Sequence, residues 1–279
     1  MAVASRNGAW LAWRSEGPLE AVAEPEPLLL IMGLSGSSRM WFRLLPHLSR
    51  RHRAIVFDNR GTGDSDPVGG PLRMADLVAD ALCVLDAAGV ERAHVIGVSM
   101  GGMIAQQLAL DHRDRVRSLV LGCTTAGGRR GAPPWRLLAT SALRPLFGPE
   151  RTFPIVAPAL YSPHTRRERP ERVREDLRIR MADATSPLTT YAQMAAIAGH
   201  DTRSRLRELA GLPTLVLHGE DDTLVPPDRG RELAAAIPGA RLVLLPACGH
   251  MLSTDAEDLV SRAILGHLER SARRSASAA

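Results

Sequence analysis

The stretch from residue 93 to residue 110, AHVIGVSMGGMIAQQLAL, constrains the fold more than any other part of the chain. It begins with a short apolar run rich in β-branched residues, which is typical of a buried strand, and ends with apolar residues at helical spacing. Between them lies the turn Gly97-Val98-Ser99-Met100-Gly101, where a side chain at position 97 or 101 would collide with neighbouring backbone. We therefore expect Ser99 to lie on a strained strand-to-helix turn, with its hydroxyl raised above a sheet.

A G-x-S-x-G pattern alone is a weak signal in a chain with 24 glycines. The simplest alternative is a glycine-rich turn whose serine only caps the helix. The strand before the pattern and the helix after it favour a nucleophile elbow, in which the serine is the attacking group. The first amides of the helix would then point at the group under attack.

Strands and helices alternate regularly around this stretch, which predicts right-handed βαβ units and a parallel sheet. Residues 33–36 are predicted to form a flexible loop. In the glycine-rich loop at 58–65 we expect Asp58 and Arg60 to satisfy one another and neighbouring backbone. The aspartates of the helix at 75–88 are expected to be solvated. The predicted strands are 8–14, 28–32, 53–58, 94–96, 116–121, 213–218 and 241–245, and the predicted helices are 41–48, 75–88, 229–236 and 254–268.

The pattern changes at residue 126. Residues 126–205 show no strong strand signal, contain many prolines, and include helical fragments at 135–143, 172–182 and 191–198. They carry 14 arginines against 7 acidic residues. An insertion of this kind between two strands predicts a helical cap over the carboxyl edge of the sheet. The core is then residues 1–125 and 206–270, and residues 271–279 are predicted to be a disordered tail.

Composition excludes several classes of function. Aromatic residues make up only 4% of the chain, and all 35 basic residues are arginine, so the net charge of +5 is a poor argument for nucleic-acid binding. No glycine-rich loop has the spacing of a nucleotide site. The three cysteines fit neither a disulfide framework nor a metal site, which favours reduced thiols. Without a membrane-length apolar stretch or a signal peptide, we expect a soluble cytoplasmic protein with no membrane partner.

Candidate partners for the serine follow it along the chain. An acyl-transfer serine needs a base, an acid that orients the base, and donors for the oxyanion. The pair Asp221-Asp222 and then His250 each come just after a predicted strand, so they should meet Ser99 at one edge of the sheet. As alternatives, the aspartate is a turn residue and His250 a surface-loop histidine. The order Ser, Asp, His separates this arrangement from the unrelated triad folds.

These motifs resemble the α/β-hydrolase superfamily over nearly the whole chain. Within it the chain is similar to the group of enol-lactonases, aclacinomycin methylesterases and cofactor-free haloperoxidases or perhydrolases. The resemblance implies an α/β fold with a mostly parallel eight-stranded sheet, flanking helices and an inserted helical cap. The matching stretches are Met32-Gly33-Leu34, Asp58-Asn59-Arg60-Gly61-Thr62-Gly63-Asp64-Ser65, Gly97-Val98-Ser99-Met100-Gly101-Gly102, His218-Gly219-Glu220-Asp221-Asp222-Thr223-Leu224-Val225-Pro226 and Gly249-His250.

The resemblance implies roles for individual residues. Ser99 is the nucleophile, His250 the general base, and Asp222 the acid, with Asp221 as the fallback. The oxyanion donors are the backbone N–H groups of Leu34 and Met100.

Four other residues have weaker assignments. Met32 stands where the family commonly has a histidine that supports the loop without chemistry, so Leu34 is expected to keep its role. Trp41 either walls the acyl pocket or is a core aromatic. His218 is expected to support the strand end, and His200 the hinge of the cap.

The implied function is a serine hydrolase acting on a carboxylic ester or lactone of a small apolar molecule, with no metal or organic cofactor. Cofactor-free perhydrolysis, C–C bond hydrolysis or secondary-metabolite tailoring in the same site are alternatives, as is a slow-turnover ligand-binding protein. A serine at position 99, in place of an aspartate, argues against epoxide hydrolase and haloalkane dehalogenase activity. The sequence leaves the oligomeric state open.

Overall fold

An eight-stranded sheet forms the centre of the molecule. The computed structural model describes residues 1–21, 25–128, 147–148, 151–183 and 185–278, with side chains as far as 273. The strands are β1 (Ala2–Arg6), β2 (Ala9–Glu16), β3 (Pro27–Ile31), β4 (Arg53–Phe57), β5 (Ala93–Val98), β6 (Val116–Gly122), β7 (Thr214–Gly219) and β8 (Arg241–Leu245). Their order across the sheet is β1-β2-β4-β3-β5-β6-β7-β8. β2 pairs antiparallel with both of its neighbours, β1 and β4, and the remaining pairs from β4 to β8 are parallel, which confirms the predicted mostly parallel sheet.

Helices cover both faces of this sheet and one of its edges. They are α1 (Leu45–Leu48), α2 (Met74–Ala87), α3 (Met100–Asp111), α4 (residues 151–160), α5 (Pro163–Glu168), α6 (Pro170–Ala182), α7 (Pro187–Ala198), α8 (Pro227–Ala236) and α9 (Leu252–Ala278). Short 3-10 helices lie at Ser38–Trp41, Arg113–Arg115 and Leu206–Leu209. None of the helices in the described ranges combines the length and the apolar character needed to cross a bilayer.

The core has two halves because side chains alternate across each strand. Leu29 and Ile31 of β3 pack on the face covered by α2, α3 and α8. Leu28 and Leu30 pack on the opposite face, against α1 and α9. All four are fully buried, which is why β3 is a continuous apolar run. Burial of each such leucine contributes about 2 kcal/mol to folding.

Helices α4 to α7 come between β6 and β7 in the chain, and α7 reaches the loop that follows β3. The Gln193 Oε1 atom accepts from the Ser35 N–H at 2.9 Å, and the hydroxyls of Ser35 and Thr190 are 2.9 Å apart. Residues 33–36, predicted to be flexible, are therefore hydrogen-bonded to a helix. Two predicted helical fragments fall in α6 and α7, and the third, at 135–143, lies outside the described residues.

Charged groups near the loop at 58–65 pair differently from the prediction. Asp58 bonds neighbouring backbone, as predicted, and accepts the N–H groups of Ser38 and Asp64 at 2.6 and 2.9 Å, but it does not pair with Arg60. Arg60 forms a two-pronged ion pair with Asp80 of α2, at 2.6 and 3.0 Å. Asp80 was expected to be solvated but is fully buried, and a buried carboxylate needs such a partner.

Three parts of the structure differ from the prediction. β1 adds an edge strand that no predicted segment covers. The helix expected at 41–48 is a 3-10 turn followed by α1, since Pro46 has no N–H to donate and is tolerated only in the first turn of a helix. The tail predicted to be disordered from residue 271 is helical as far as Ala278, because alanine and arginine are strong helix formers that extend α9 beyond its apolar positions.

Candidate active site

Ser99 lies at the turn between β5 and α3 with the backbone angles φ 54° and ψ −121°, a conformation that costs energy for any residue with a side chain. Its N–H donates to the carbonyl of Gly122 at 2.8 Å, which ties the turn to β6. A Cβ atom on Gly97 would lie 2.2 Å from the Gly101 carbonyl oxygen, and one on Gly101 would lie 2.1 Å from the Ile31 carbonyl oxygen. This crowding confirms that both positions must be glycine.

Asp222 and His250 meet beyond the ends of β7 and β8. The His250 Nδ1 atom lies 2.8 Å from the Asp222 Oδ2 atom, while the neighbouring Asp221 is exposed. The second oxygen of Asp222 accepts from the N–H groups of Leu224 and Val225, each at 2.9 Å. The carboxylate is therefore anchored on one side and directed at the imidazole on the other, in the arrangement that fixes the tautomer of a catalytic base.

The surroundings keep Asp222 ionised. Burial alone would raise the pKa of this carboxyl, which is 2% exposed. The charge on His250, together with hydrogen bonds from His218, from His250 and from the Val225 N–H, outweighs burial and holds the pKa of Asp222 well below its usual range. Asp222 is then a permanent negative charge beside the imidazole, ready to stabilise its protonated form.

A cavity of about 1500 Å³ lies between the carboxyl edge of the sheet and helices α4, α6 and α7. Ser99 and His250 both line it, as does Leu34. A Cβ atom on Gly33 would lie 3.0 Å from the Ser99 Cβ atom, so the loop after β3 runs directly against the turn that holds the serine. The structure thus brings the predicted nucleophile, base and first oxyanion loop to one cavity.

The two predicted oxyanion donors are available. Met100 is the first residue of α3, so its N–H has no partner inside the helix. The Leu34 N–H donates to no acceptor among the described residues. Met100 directly follows Ser99 in the chain, and Leu34 directly follows Gly33, whose backbone lies against the Ser99 side chain.

Sequence reasoning missed the residues that hold the Leu34 loop. The Asn59 Nδ2 atom donates to the Met32 carbonyl at 3.0 Å, and the buried Gln193 bonds both the Ser35 N–H and the Arg60 carbonyl. Asn59 lies within the matching stretch at 58–65, so its role in the site was open to prediction, whereas nothing in the sequence marks Gln193. These two amides hold the loop where the family commonly has a histidine.

Trp41, expected to be either a pocket wall or a core aromatic, packs in the core beside Met40 and Leu44 and also lines the cavity. His218 is fully buried, and its Nε2 atom lies 2.8 Å from the Val225 carbonyl, so it supports the turn that carries Asp222. His200 lines the cavity with both ring nitrogens unpartnered among the described residues, and burial lowers its pKa to about 4.

A third residue that sequence reasoning missed is Cys123. Its Sγ atom, a carboxylate oxygen of Asp222 and a ring nitrogen of His250 lie within 4.8 Å of one another, a set of atoms that could ligate a metal ion. Burial raises the pKa of the Cys123 thiol well above its usual value, so the thiol stays protonated. Because Asp222 and His250 already bond each other, we interpret the cluster as a neutral thiol packed against that pair. All three cysteines are free, as expected.

Comparisons with known proteins agree with this geometry. A family model described as "alpha/beta hydrolase fold" matches residues 26–257. The chain is 33% identical over 245 residues to the putative carbamate hydrolase RutD of Azorhizobium caulinodans, covering 86% of this chain and 90% of that protein. It is 30% identical over 249 residues to the poly(3-hydroxyalkanoate) depolymerase of Ectopseudomonas oleovorans, covering 89% of this chain and 86% of that protein.

A solved structure extends the agreement to three dimensions. The enol-lactonase from Burkholderia xenovorans superposes with a TM-score of 0.84 at 28% identity, and the match covers 96% of this chain and 100% of that one. The match of the family model and the shared architecture lead to one conclusion: the chain belongs to the α/β-hydrolase family of enzymes.

Proposed function

We propose that the protein is a serine hydrolase that cleaves a carboxylic ester or lactone of a small, largely apolar molecule. The observation that carries this proposal is the 2.8 Å hydrogen bond between Asp222 and His250 at the cavity that Ser99 also lines. An oriented base that lines the same cavity as a serine on a strained turn is the arrangement that acyl transfer requires. The largely apolar wall of that cavity supports an apolar substrate.

In the proposed mechanism His250 takes the proton of the Ser99 hydroxyl as the oxygen attacks the carbonyl carbon. The N–H groups of Leu34 and Met100 stabilise the oxyanion, and Asp222 stabilises the imidazolium. Collapse of the intermediate breaks the ester bond, and the leaving oxygen receives the proton from His250. Water then loses a proton to His250, attacks the acyl-enzyme, and releases the acid and free Ser99.

The names of several relatives favour a second class of substrate, one in which Ser99 would attack the carbonyl carbon of a carbamate. Several curated relatives are named as putative carbamate hydrolases. A carbamate presents the same kind of carbonyl carbon to Ser99, so we propose it as the alternative to an ester or lactone. Relative rates on matched ester and carbamate substrates would decide between these bonds.

A serine-directed fluorophosphonate tests the nucleophile. We expect one adduct, on Ser99, detected by intact mass and peptide mapping. Labelling should be lost in His250→Ala, because no base remains to take the serine proton. An adduct on another residue, or equal labelling of the His250→Ala protein, would contradict the assignment.

A matched pair of variants tests the acid. Asp222→Asn and Asp221→Asn make the same change of charge one residue apart, at a buried and an exposed position. We expect Asp222→Asn to lower kcat on 4-nitrophenyl butyrate by about 10⁴-fold, as loss of the acid does in other triads. Asp221→Asn should retain wild-type kcat. Equal losses in the two variants would refute Asp222 as the acid.

Two further assignments stay proposals. The cap is assigned to residues 126–205, between the two parts of the core at 1–125 and 206–270. The location is proposed to be cytoplasmic, which is consistent with three free cysteines.

A further inference from the structure

Arg180 of the cap helix α6 is an unusual member of the cavity wall. It lines the same cavity as Ser99 and His250. Its Nη2 atom lies 3.4 Å from the Sδ atom of Met251, the residue that follows His250, and a thioether is a weak acceptor. Its Nε atom is buried with no hydrogen-bond partner among the described residues. The guanidinium is thus close to the base and poorly satisfied.

Neighbouring arginines on this side of the cap are paired with carboxylates. Arg43 forms an ion pair with Glu175 at 2.7 Å, and Arg172 forms one with Glu257 at 2.6 Å. Within the described part of the chain, no carboxylate forms an ion pair with Arg180. Arg174 and Arg178 of α6 also form no ion pair among the described residues, but both are exposed and neither lines the cavity. Arg180 is the one arginine of α6 that does.

The acidic groups nearest along the chain or in the cavity wall are already engaged. Asp176, one helical turn before Arg180, accepts from Arg43 and from the hydroxyl of Thr254. Among the described residues that line the cavity, the one acidic side chain is Asp201, which pairs with Arg203 at 2.6 Å. A protein counter-charge for Arg180 is missing from the described wall.

An anion bound in the cavity would stabilise the Arg180 guanidinium. Arginine stays protonated at all relevant pH values, so it cannot relieve the cost of burial by losing its charge. Its planar fork of N–H donors matches a carboxylate, which it binds through two parallel hydrogen bonds. A ligand that enters the cavity with a free carboxylate would supply the missing partner.

We propose that Arg180 binds a carboxylate on the substrate, away from the bond that is cleaved. The substrate is then a half-ester of a dicarboxylic acid, or a lactone that carries a free acid group, with an apolar chain between its two ends. This inference rests on the proposed hydrolase function, and it adds a charge requirement that the apolar wall alone does not imply.

Two esters with one leaving group test the proposal. Mono-4-nitrophenyl glutarate carries a terminal carboxylate where 4-nitrophenyl pentanoate carries a methyl group. We expect Arg180→Leu to lower the ratio of kcat/KM for the anionic ester to that for the neutral ester by about 10- to 100-fold, the size of a lost charged hydrogen bond. Because both esters are measured on one preparation, a loss of folded protein cancels in this ratio.

Two more variants complete the comparison. Arg180→Lys keeps the charge but loses the fork, so its ratio should fall between those of the wild type and Arg180→Leu. Arg178→Leu removes a charge from the same helix at an exposed position and should keep the wild-type ratio. A ratio in Arg180→Leu within threefold of wild type, or an equal fall in Arg178→Leu, would overturn the proposal.

A binding measurement separates this inference from the hydrolase function. Glutarate is titrated calorimetrically into Ser99→Ala protein and into the Ser99→Ala, Arg180→Leu double variant. We expect the Kd to rise at least tenfold in the double variant, and equal Kd values or no binding to either protein would overturn the inference. Failure of the wild type to hydrolyse either ester would instead count against the hydrolase function, and the glutarate titration would still decide the role of Arg180.

Discussion

Two buried histidines, His200 and His267, link the stability of the protein to pH. Burial is the main cause that lowers the pKa of each to about 4, and both are at most 4% exposed. In the unfolded chain a histidine titrates near pH 6.5. Between about pH 6.5 and pH 4 the unfolded state therefore binds protons that the folded state does not. The contribution of the two neutral histidines to the free energy of unfolding is therefore fully present above about pH 6.5. It is lost as the pH falls from there to about 4.

The variant His200→Leu removes one of these titrations. We expect the wild-type free energy of unfolding to fall between pH 7 and pH 4.5, and the fall to be about 2 kcal/mol smaller in His200→Leu. Urea unfolding at several pH values in this interval measures the difference. His164→Leu, at an exposed position, is the control and should lose as much stability as the wild type. A His200→Leu curve parallel to the wild-type curve would show that His200 is not the group involved.

At the scale of elements, the sequence predicted what depends on local pattern. Apolar runs such as residues 28–32 and 242–245 identified the strands, and the turn at Ser99 was recognisable because two glycines are needed where the backbone crowds. The partners of polar side chains were not predictable. Arg60 bonds Asp80 and Gln193 bonds Ser35, and these pairs are far apart in the chain. Such contacts depend on how the helices and strands pack against one another, and neither residue spacing nor secondary-structure propensity predicts that packing.

Helix α7 is the element that we expect to control the loop carrying the Leu34 N–H. Replacing Gln193 by leucine leaves the Ser35 N–H and the Arg60 carbonyl without their partner in a buried place. We expect a loss of about 1–3 kcal/mol in the free energy of unfolding. We also expect kcat to fall by about 10-fold or more with a smaller change in KM, because a displaced oxyanion donor acts on the transition state.

Steady-state kinetics and urea unfolding of the same protein measure both effects. Gln107→Leu is the matched control, because Gln107 is half-buried on α3 and bonds Asp111 on its own helix. A Gln193→Leu protein that loses stability but keeps its kcat would show that α7 does not position the oxyanion loop.

At the scale of the whole molecule, residues from the sheet edge and from helices α4, α6 and α7 together line the cavity, and methionine is prominent in its wall. Six of the nine methionines line it, namely Met32, Met40, Met103, Met181, Met194 and Met251. Methionine is unbranched and flexible, so such a wall adapts to apolar chains of different shape. A volume of about 1500 Å³ exceeds what a short acyl group fills.

This volume predicts a preference for longer acyl chains. Across 4-nitrophenyl esters from acetate to octanoate, we expect kcat/KM to rise by about fourfold for each added methylene, in line with about 0.8 kcal/mol per buried CH₂. Hydroxide-catalysed hydrolysis of the same esters gives the intrinsic reactivity to be divided out. A corrected kcat/KM that is highest for acetate would show that the cavity does not hold the acyl chain.

The position of the proposed cap in the chain divides the proposed catalytic residues into two groups. The nucleophile and both oxyanion amides come from residues before 126, whereas the acid and the base come from residues after 205. Neither stretch holds a nucleophile together with a base. A chain cut between these stretches would give two inert fragments, and hydrolysis would return only when they reassociate. The protein is in this respect a natural candidate for a complementation reporter, in which recovered turnover counts the reassembled molecules.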